Sequence, residues 1–395
     1  MVIHMIIFSR LLSYGGGRET WLSNFLDEIE GRAGINRINL YYFIDSESIV
    51  KDEIETEKFK QVKKFKIQLP SQSGKTMSLI RMFKFIFFQS IAINKSIKDS
   101  SDKEHCFLGI GSFIESITAL TARLVCLSKN KKLITVAWIR GVLARESSSR
   151  HSALVLRLME FTEKFMLNRF HFVISNGKDT QDIYESKGIS SRLINNAIPL
   201  EPYENISPNN VRKDPFIVSY IGRLSAEKGF IHFIEAVKIF KKKYHGLPVT
   251  FHVLGDGPLE SLLKENSSLF EYLGVMNNKK MTRYISTIDA GVALTLTSEK
   301  IGGSGVSNGL LELMGAGRLV ICWENPIFTQ VLSKESAYYA QEGNIDLLVE
   351  QIYRAAVSDD NFYIKGIRAK EISRSYSMKN HVDKFLELIS DIHSK

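Results

Sequence analysis

Residues 220–229 read YIGRLSAEKG. An apolar run stops at Gly222, two cations stand five residues apart at Arg223 and Lys228, and Gly229 opens onto FIHFIEAVKIF, whose apolar positions recur at helical spacing. A strand that ends in glycine and hands over to a helix is the opening of a βαβ unit, and ligands of open parallel sheets sit beyond the carboxyl ends of the strands. Both cations therefore stand where a ligand would be met. Arginine offers a planar fork of donors and lysine a compact charge, a pair suited to neutralising a diphosphate, and the flanking glycines allow close backbone approach.

The same alternation extends in both directions. Downstream, VTFHVLG, LFEYLGV, DAGVALT, RLVICW and SAYYA read as strands, separated by helical patterns over 229–244, near 258–266 and near 279–287, with consecutive helices from Asn344 onward. Upstream, VIHMIIFS, INLYYFI, VKKFKIQL, HCFLGIG, KLITVAW and FHFVIS alternate with helices from Arg18 to about Glu30 and near 78–98, 113–127, 152–168 and 179–187. Between the halves, IPLEPYENISPNNVRKDP concentrates proline, asparagine and charge without apolar periodicity, and is read as a linker. The expected class is α/β, with two Rossmann-like, doubly wound domains facing a central cleft. The expected domains are 1–198 and 199–375, with a helix over 376–395 crossing back to the first.

Composition agrees with two soluble domains: 395 residues, 44% apolar and 24% charged. The net charge of +9 is carried by residues 1–200, with 29 Lys+Arg against 20 Asp+Glu, while residues 201–395 balance at 23 against 23. The first half is therefore expected to meet something anionic. Nucleic acid is not the expected partner, because no recognition-helix motif or aromatic RNA platform is present. Cys106, Cys126 and Cys322 lie far apart and match no metal-ligand spacing, which fits a reducing cytoplasm. MVIHMIIFSR lacks a charged leader and a cleavage site and is read as a first strand. No run approaches the roughly 20 apolar residues of a membrane span. The expected location is cytoplasmic, free or peripheral on the inner face of the membrane. LIRMFKFIFFQSIAINKSIK, residues 79–98, carries Arg81, Lys84, Lys95 and Lys98 in a dense apolar stretch, and periodicity leaves open whether it is a membrane-surface helix or a core helix.

Three further segments fall after strands. GGSGVSNGLLELMGAG, residues 302–317, passes from a glycine-rich loop into an apolar helix, so its loop amides and helix N-terminus form an anion site. Glu312, one turn in, is either an acceptor for ribose hydroxyls or an ordinary helical glutamate. YGGGRET, residues 14–20, is a tight turn whose Gly16 and Gly17 amides would approach a phosphate or a sugar, or simply connect strand to helix. WIRGVLARESSSRH sets Arg140 at a strand end, with Arg145 and Arg150 beyond it, to touch a phosphate or an anionic acceptor. SGKT at 73–76 imitates a P-loop, but Leu69 stands where its first glycine is required, so nucleotide-triphosphate hydrolysis is rejected. The histidines show neither HxxxH nor HExxH, and no bound metal is expected.

Together these segments resemble glycosyltransferase family 4, of GT-B fold, over nearly the whole chain. GGGRE resembles the family's GGxE, VISNGKDTQDIYESKG the segment closing its first domain, and LINNAIP its VIPNGID, with Ala197 and Pro199 as departures. YIGRLSAEKG resembles GRLxxxKG, VLGDGPLE the GDGP motif, YLGV the base-proximal strand, and SGVSNGLLELMGAGRLVI the pattern EGxxNxLLEAMAxGxPVI. The resemblance implies that Arg223 and Lys228, after Gly222, contact a donor diphosphate and Glu312 the ribose. It places the amides of Ser307, Asn308, Gly309 and Leu310 on phosphate and sugar, with Gly305 in the same loop and Val275 near the base. It further implies a retaining transferase without metal or other cofactor, a UDP- or GDP-sugar donor, a glycan or lipid-linked acceptor, and a setting in surface polysaccharide, lipopolysaccharide or capsule assembly. Two positions depart from the pattern. Ser304 stands eight residues before Glu312, where the family has a glutamate on the donor sugar, and Arg140 with Gly141 replaces a first-domain histidine. Service to a different sugar, a carboxylate supplied by Glu299, and a catalytically silent binding or scaffold protein all stay open.

Overall fold

The computed structural model describes residues 1–11, 17–45, 58–70, 74–126, 130–143, 152–208, 213–297, 305–357 and 362–391. The chain divides into two compact units, one made of Met1–Ile194 with Val382–Lys395 and the other of Asn195–His381. These divisions fall at 194 and 381, where the sequence suggested 198 and 375.

The first unit holds a seven-stranded sheet: β1 Val2–Ile6, β2 Arg37–Asp45, β3 Val62–Leu69, β4 Glu104–Gly109, β5 Lys132–Ile139, β6 Phe172–Ser175 and β7 Arg192–Leu193, in the order β3-β2-β1-β4-β5-β6-β7. Every pairing is parallel. Inner strands buried on both faces read as near-continuous apolar runs, as β1 does, whereas the edge strand β3 interleaves Lys63, Lys64 and Lys66, which discourages further pairing. One face is covered by helices Gly74–Lys98, Ile114–Val125 and Ala153–Leu167. On the other face Trp21 packs on Trp138 with ring centroids 5.0 Å apart, and Phe385 of helix Met378–Ser390 stacks on Trp138 at 5.4 Å. An ion pair of 3.0 Å between Arg32 and Asp383 holds the same helix.

The second unit repeats the plan with β8 Phe216–Ile221, β9 Val249–Leu254, β10 Glu271–Tyr272, β11 Ala290–Ala293, β12 Leu319–Glu324 and β13 Ala337–Gln341, ordered β10-β9-β8-β11-β12-β13. In each sheet the strand order reverses beside its first strand, between β1 and β4 and between β8 and β11. This is the doubly wound arrangement of a Rossmann-like sheet. The α/β class and the two sheets expected from the sequence are both present.

Two expectations need correction. LFEYLGV forms only the two-residue edge strand β10; Phe270, just before it, contributes its ring to the core beside Phe230 and Phe233, so the apolar run reflects burial more than pairing. The stretch read as a linker is partly structural. Ile198 pairs with Ser377, and Ile198 and Tyr203 are buried in the second core. A few apolar side chains among prolines and charges were too sparse to register as a pattern.

Candidate functional site

The crevice at a switch point opens beyond the ends of the two strands that flank it. At the end of β8 the chain turns at Gly222, whose amide bonds the Leu254 carbonyl at 3.0 Å, and the Leu224 amide reaches Asp256 O at 2.7 Å. This strap, residues 222–229, fits only because its neighbours lack side chains. A Cβ on Gly255 would lie 2.0 Å from Gly222 O, and one on Gly257 2.5 Å from Leu224 O. On the opposite side, a Cβ on Gly229 would meet Leu294 O at 2.3 Å, and Glu227 O accepts from Leu296 N at 3.0 Å. The strap is thus seated between the exits of β9 and β11. From beneath, the buried Tyr220 hydroxyl lies 2.8 Å from Arg223 O and 3.2 Å from Lys228 O. Burial pushes that phenol well above its ordinary range, so it stays a neutral donor. The backbone under both cations is fixed, while the Arg223 side chain is exposed and Lys228 is partly buried.

The second wall is helix Asn308–Gly315. Ser307 caps it by accepting from Leu310 N at 3.2 Å, an interaction of about 1 kcal/mol. The buried Asn196 amide donates both to Val306 O at 3.1 Å and to Asn308 Oδ1 at 2.7 Å. A Cβ on Gly309 would come within 3.0 Å of Ile221 O, so the first turn of this helix rests on the end of β8. The positive end of its dipole therefore adjoins the strap that carries the two cations. Glu312 sits one turn on, partly buried, and burial pushes its carboxyl up to about 7. Near neutral pH it can accept or donate a hydrogen bond.

The exits of β11, β12 and β13 are cross-tied by one carboxylate. Glu342 Oε1 accepts from Thr297 N at 3.0 Å, and Oε2 accepts from Thr297 Oγ1 at 2.8 Å and from Asn325 Nδ2 at 2.6 Å. Asn325 also donates to Thr295 O at 3.0 Å and caps the short helix Pro326–Thr329.

Of the residues singled out in the sequence, Gly222, Arg223, Lys228, Ser307, Asn308, Gly309, Leu310 and Glu312 gather on the strap and helix at this one switch point. Gly305, at φ +68°, belongs to the loop leading into that helix. Val275 is exposed and follows Gly274, whose carbonyl accepts from Gly255 N at 3.0 Å, beside the β9 exit. Gly17 and Arg140 belong to the first unit. Gly17 starts helix Gly17–Ile29, and Arg140, at the end of β5, holds its guanidinium 4.4 Å from the centre of the Trp21 ring. Burial, with the nearby Arg18 charge, pulls Arg140 down to about 9. Gly16, Ser304, Glu299, Arg145 and Arg150 lie outside the described residues. Among the described residues no group of three or more His, Cys, Asp or Glu side chains is arranged to hold a metal ion.

Four positioning residues escaped the sequence reading. Tyr220 looked like one more core aromatic, Asn196 sat in a segment noted only for its resemblance, and Glu342 lay outside every motif. A usable signal existed for Asn325 alone, since Asn before Pro marks a helix start.

Residues 215–357 match the family model described as glycosyl transferases group 1. The match runs from β8 through helix Ile345–Val357 and includes the strap, the capped helix and Glu312. Over the full length the chain is similar in fold to sucrose-phosphate synthase from Thermosynechococcus elongatus, with a TM-score of 0.76 at 14% identity, covering 100% of this chain and 99% of that one. It is also similar to Anabaena HepE, a structure solved in complex with UDP-glucose, with a TM-score of 0.70 at 14% identity, covering 99% and 100%. Among curated sequences it is 21% identical over 230 residues to an uncharacterized 41.2 kDa protein in the cps region of Klebsiella pneumoniae, covering 55% of this chain and 59% of that relative's length.

Proposed function

We propose that this chain is a retaining glycosyltransferase that takes a nucleotide-diphosphate sugar at the β8/β11 switch point and passes the sugar to a glycan or lipid-linked acceptor. The observation that carries the reading is the strap bearing Arg223 and Lys228 at the end of β8, on which the first turn of helix Asn308–Gly315 rests. Arg223 grips diphosphate oxygens with its fork, Lys228 adds a point charge, and the helix amides donate from the facing side. Glu312, ionised, accepts from the ribose hydroxyls. As the bond from the anomeric carbon to the β-phosphate oxygen breaks, negative charge grows on the departing diphosphate while the acceptor oxygen bonds to that carbon and its proton leaves to the diphosphate. The two cations and the helix end stabilise that growing charge, so no metal is required.

The family match over 215–357 supports the transferase class, and the UDP-glucose bound by HepE supports a nucleotide-sugar donor. The cps-region relative supports a role in surface polysaccharide assembly. The test is transfer of labelled sugar from a panel of UDP- and GDP-sugars to cell-envelope glycan and lipid fractions, with and without EDTA, and with the product's anomeric configuration read by NMR. Transfer with retention that survives EDTA is expected. Nucleotide binding without turnover on any acceptor would favour a silent binding protein instead.

A further inference from the structure

Helix Gly74–Lys98 settles the ambiguity of its sequence by being two-sided. Phe85, Ile93 and Ile97 are buried against the sheet, while Leu79, Phe83, Phe87 and Ile91, spaced four residues apart, face outward, and Phe83 is 71% exposed. A second row lies on helix Ala153–Leu167, where Leu154, Leu158, Phe161 and Phe165 recur at helical spacing and Phe161 is 68% exposed. Helix Ile114–Val125 packs against both and leaves Leu124 78% exposed in its last turn. All three helices cover one face of the first sheet. Leu133 of β5 packs with the first two, and Ala137 and Ile139, on the same face of that strand, pack with Leu167 of the third. Single exposed apolar side chains are ordinary, but aligned rows on neighbouring helices mark a surface that meets something apolar.

The charges around these rows select the partner. Lys84, Lys95 and Lys98 are exposed on the first helix, which contains no acidic residue, and Arg157, Lys164 and Arg169 are exposed beside the second row. The Arg169 guanidinium lies over the Phe165 ring, 3.3 Å from its centre. Of the acidic side chains on the second helix, Glu163 is buried and Glu160 pairs with Lys187 at 2.6 Å. Among the described residues of the three helices the only acidic side chains are buried or already paired, so a second copy of this face would bring like charges together. Apolar and aromatic side chains flanked by cations with flexible apolar stems are complementary to the surface of an anionic bilayer, where the rings enter the acyl boundary and the cations meet the headgroups.

We infer that the outer face formed by helices Gly74–Lys98, Ile114–Val125 and Ala153–Leu167 docks the protein on an anionic lipid surface. Among the described residues no helix is long and apolar enough to cross a membrane, so the attachment lies in the interface. The inference does not depend on the donor site, which belongs to the other unit.

The test is sedimentation of the full chain with vesicles of phosphatidylcholine alone or mixed with phosphatidylglycerol, at low and high salt. Binding to the mixed vesicles is expected, weakened by salt, with the partition coefficient falling at least about tenfold in Phe83→Glu/Phe161→Glu and several-fold in Lys84→Gln/Lys95→Gln. Both variants change exposed positions, and unchanged UDP binding would report an intact second unit. A Phe83→Trp reporter should be quenched by brominated lipid. Wild-type protein that stays in the supernatant, Phe83→Glu/Phe161→Glu protein that binds as well as wild type, or lipid-free self-association abolished by Phe83→Glu would each overturn the assignment, the last in favour of a second copy.

Discussion

The side-chain amide of Asn196 donates to Oδ1 of Asn308 across 2.7 Å, joining residues 112 positions apart at the N-terminus of the helix that walls the site. Its second amide hydrogen serves Val306 O, so one buried side chain fixes the loop immediately before Ser307. Asn196→Ala would leave both acceptors unpaired, at a cost of about 1–3 kcal/mol. Because the loop itself is held this way, UDP affinity should drop about tenfold, with Asn196→Asp, which has no amide donors, equally impaired. Calorimetric melting and titration together check this. A lower melting temperature with unchanged affinity would reduce Asn196 to a purely structural role.

Arg223→Ala and Lys228→Ala separate binding from folding. Arg223 is exposed, so its loss should change stability by less than about 0.5 kcal/mol. Turnover should fall by about 10²- to 10³-fold for either variant, the cost of removing one stabilising contact to a developing charge. Circular dichroism and a single-turnover transfer assay measure the two effects independently.

The glycines of the site are predicted to differ in cost. Gly229 combines φ +72° with a Cβ position 2.3 Å from Leu294 O, so Gly229→Ala should lose at least about 3 kcal/mol and disturb the strap. Gly274, at φ +69° with open space around it, should lose only about 1 kcal/mol on the same change. Urea unfolding of the two variants gives the comparison directly.

Glu312 makes stability depend on pH. Its carboxyl, raised from 4.5 to about 7, binds a proton more tightly in the folded protein than in the unfolded chain. Stability of the unliganded protein should therefore be fully present below about pH 4.5 as far as this group is concerned. It should fall as pH rises toward about 7 and level off above, by an amount on the order of 1–3 kcal/mol. Nucleotide binding needs the ionised form and should strengthen over the same window. The difference between wild type and Glu312→Gln in urea midpoints from pH 5 to pH 8 isolates the group from the buried His4, whose titration burial pushes the other way.

The fold was largely legible because buried parallel strands announce themselves as unbroken apolar runs, and VKKFKIQL was bounded correctly as β3 even at the sheet edge. Strand β7 was not, since two residues of pairing leave no periodic trace, and β10 was read as the longer LFEYLGV because its apolar neighbours extend the run beyond the two paired residues. Arg223 and Lys228 could be picked out because charged residues next to glycines interrupt a pattern, whereas Glu312, inside an apolar helix, was singled out chiefly by the resemblance. Tyr220 could not, because a tyrosine in a strand serves the core whether or not its hydroxyl holds up two carbonyls. The apolar face of helix Gly74–Lys98 was ambiguous for a related reason: composition reports how apolar a helix is, and only packing tells which side is covered.

The central claim is that Arg223 and Lys228 hold the diphosphate of a nucleotide donor. Isothermal titration of UDP and GDP into the wild-type chain, Arg223→Ala and Lys228→Ala tests it most directly. One of the two nucleotides should bind the wild type, with Kd rising at least about tenfold in each variant, the loss of one charge-assisted contact. Failure of both nucleotides to bind the wild type, or equal affinity across all three proteins, would contradict the claim.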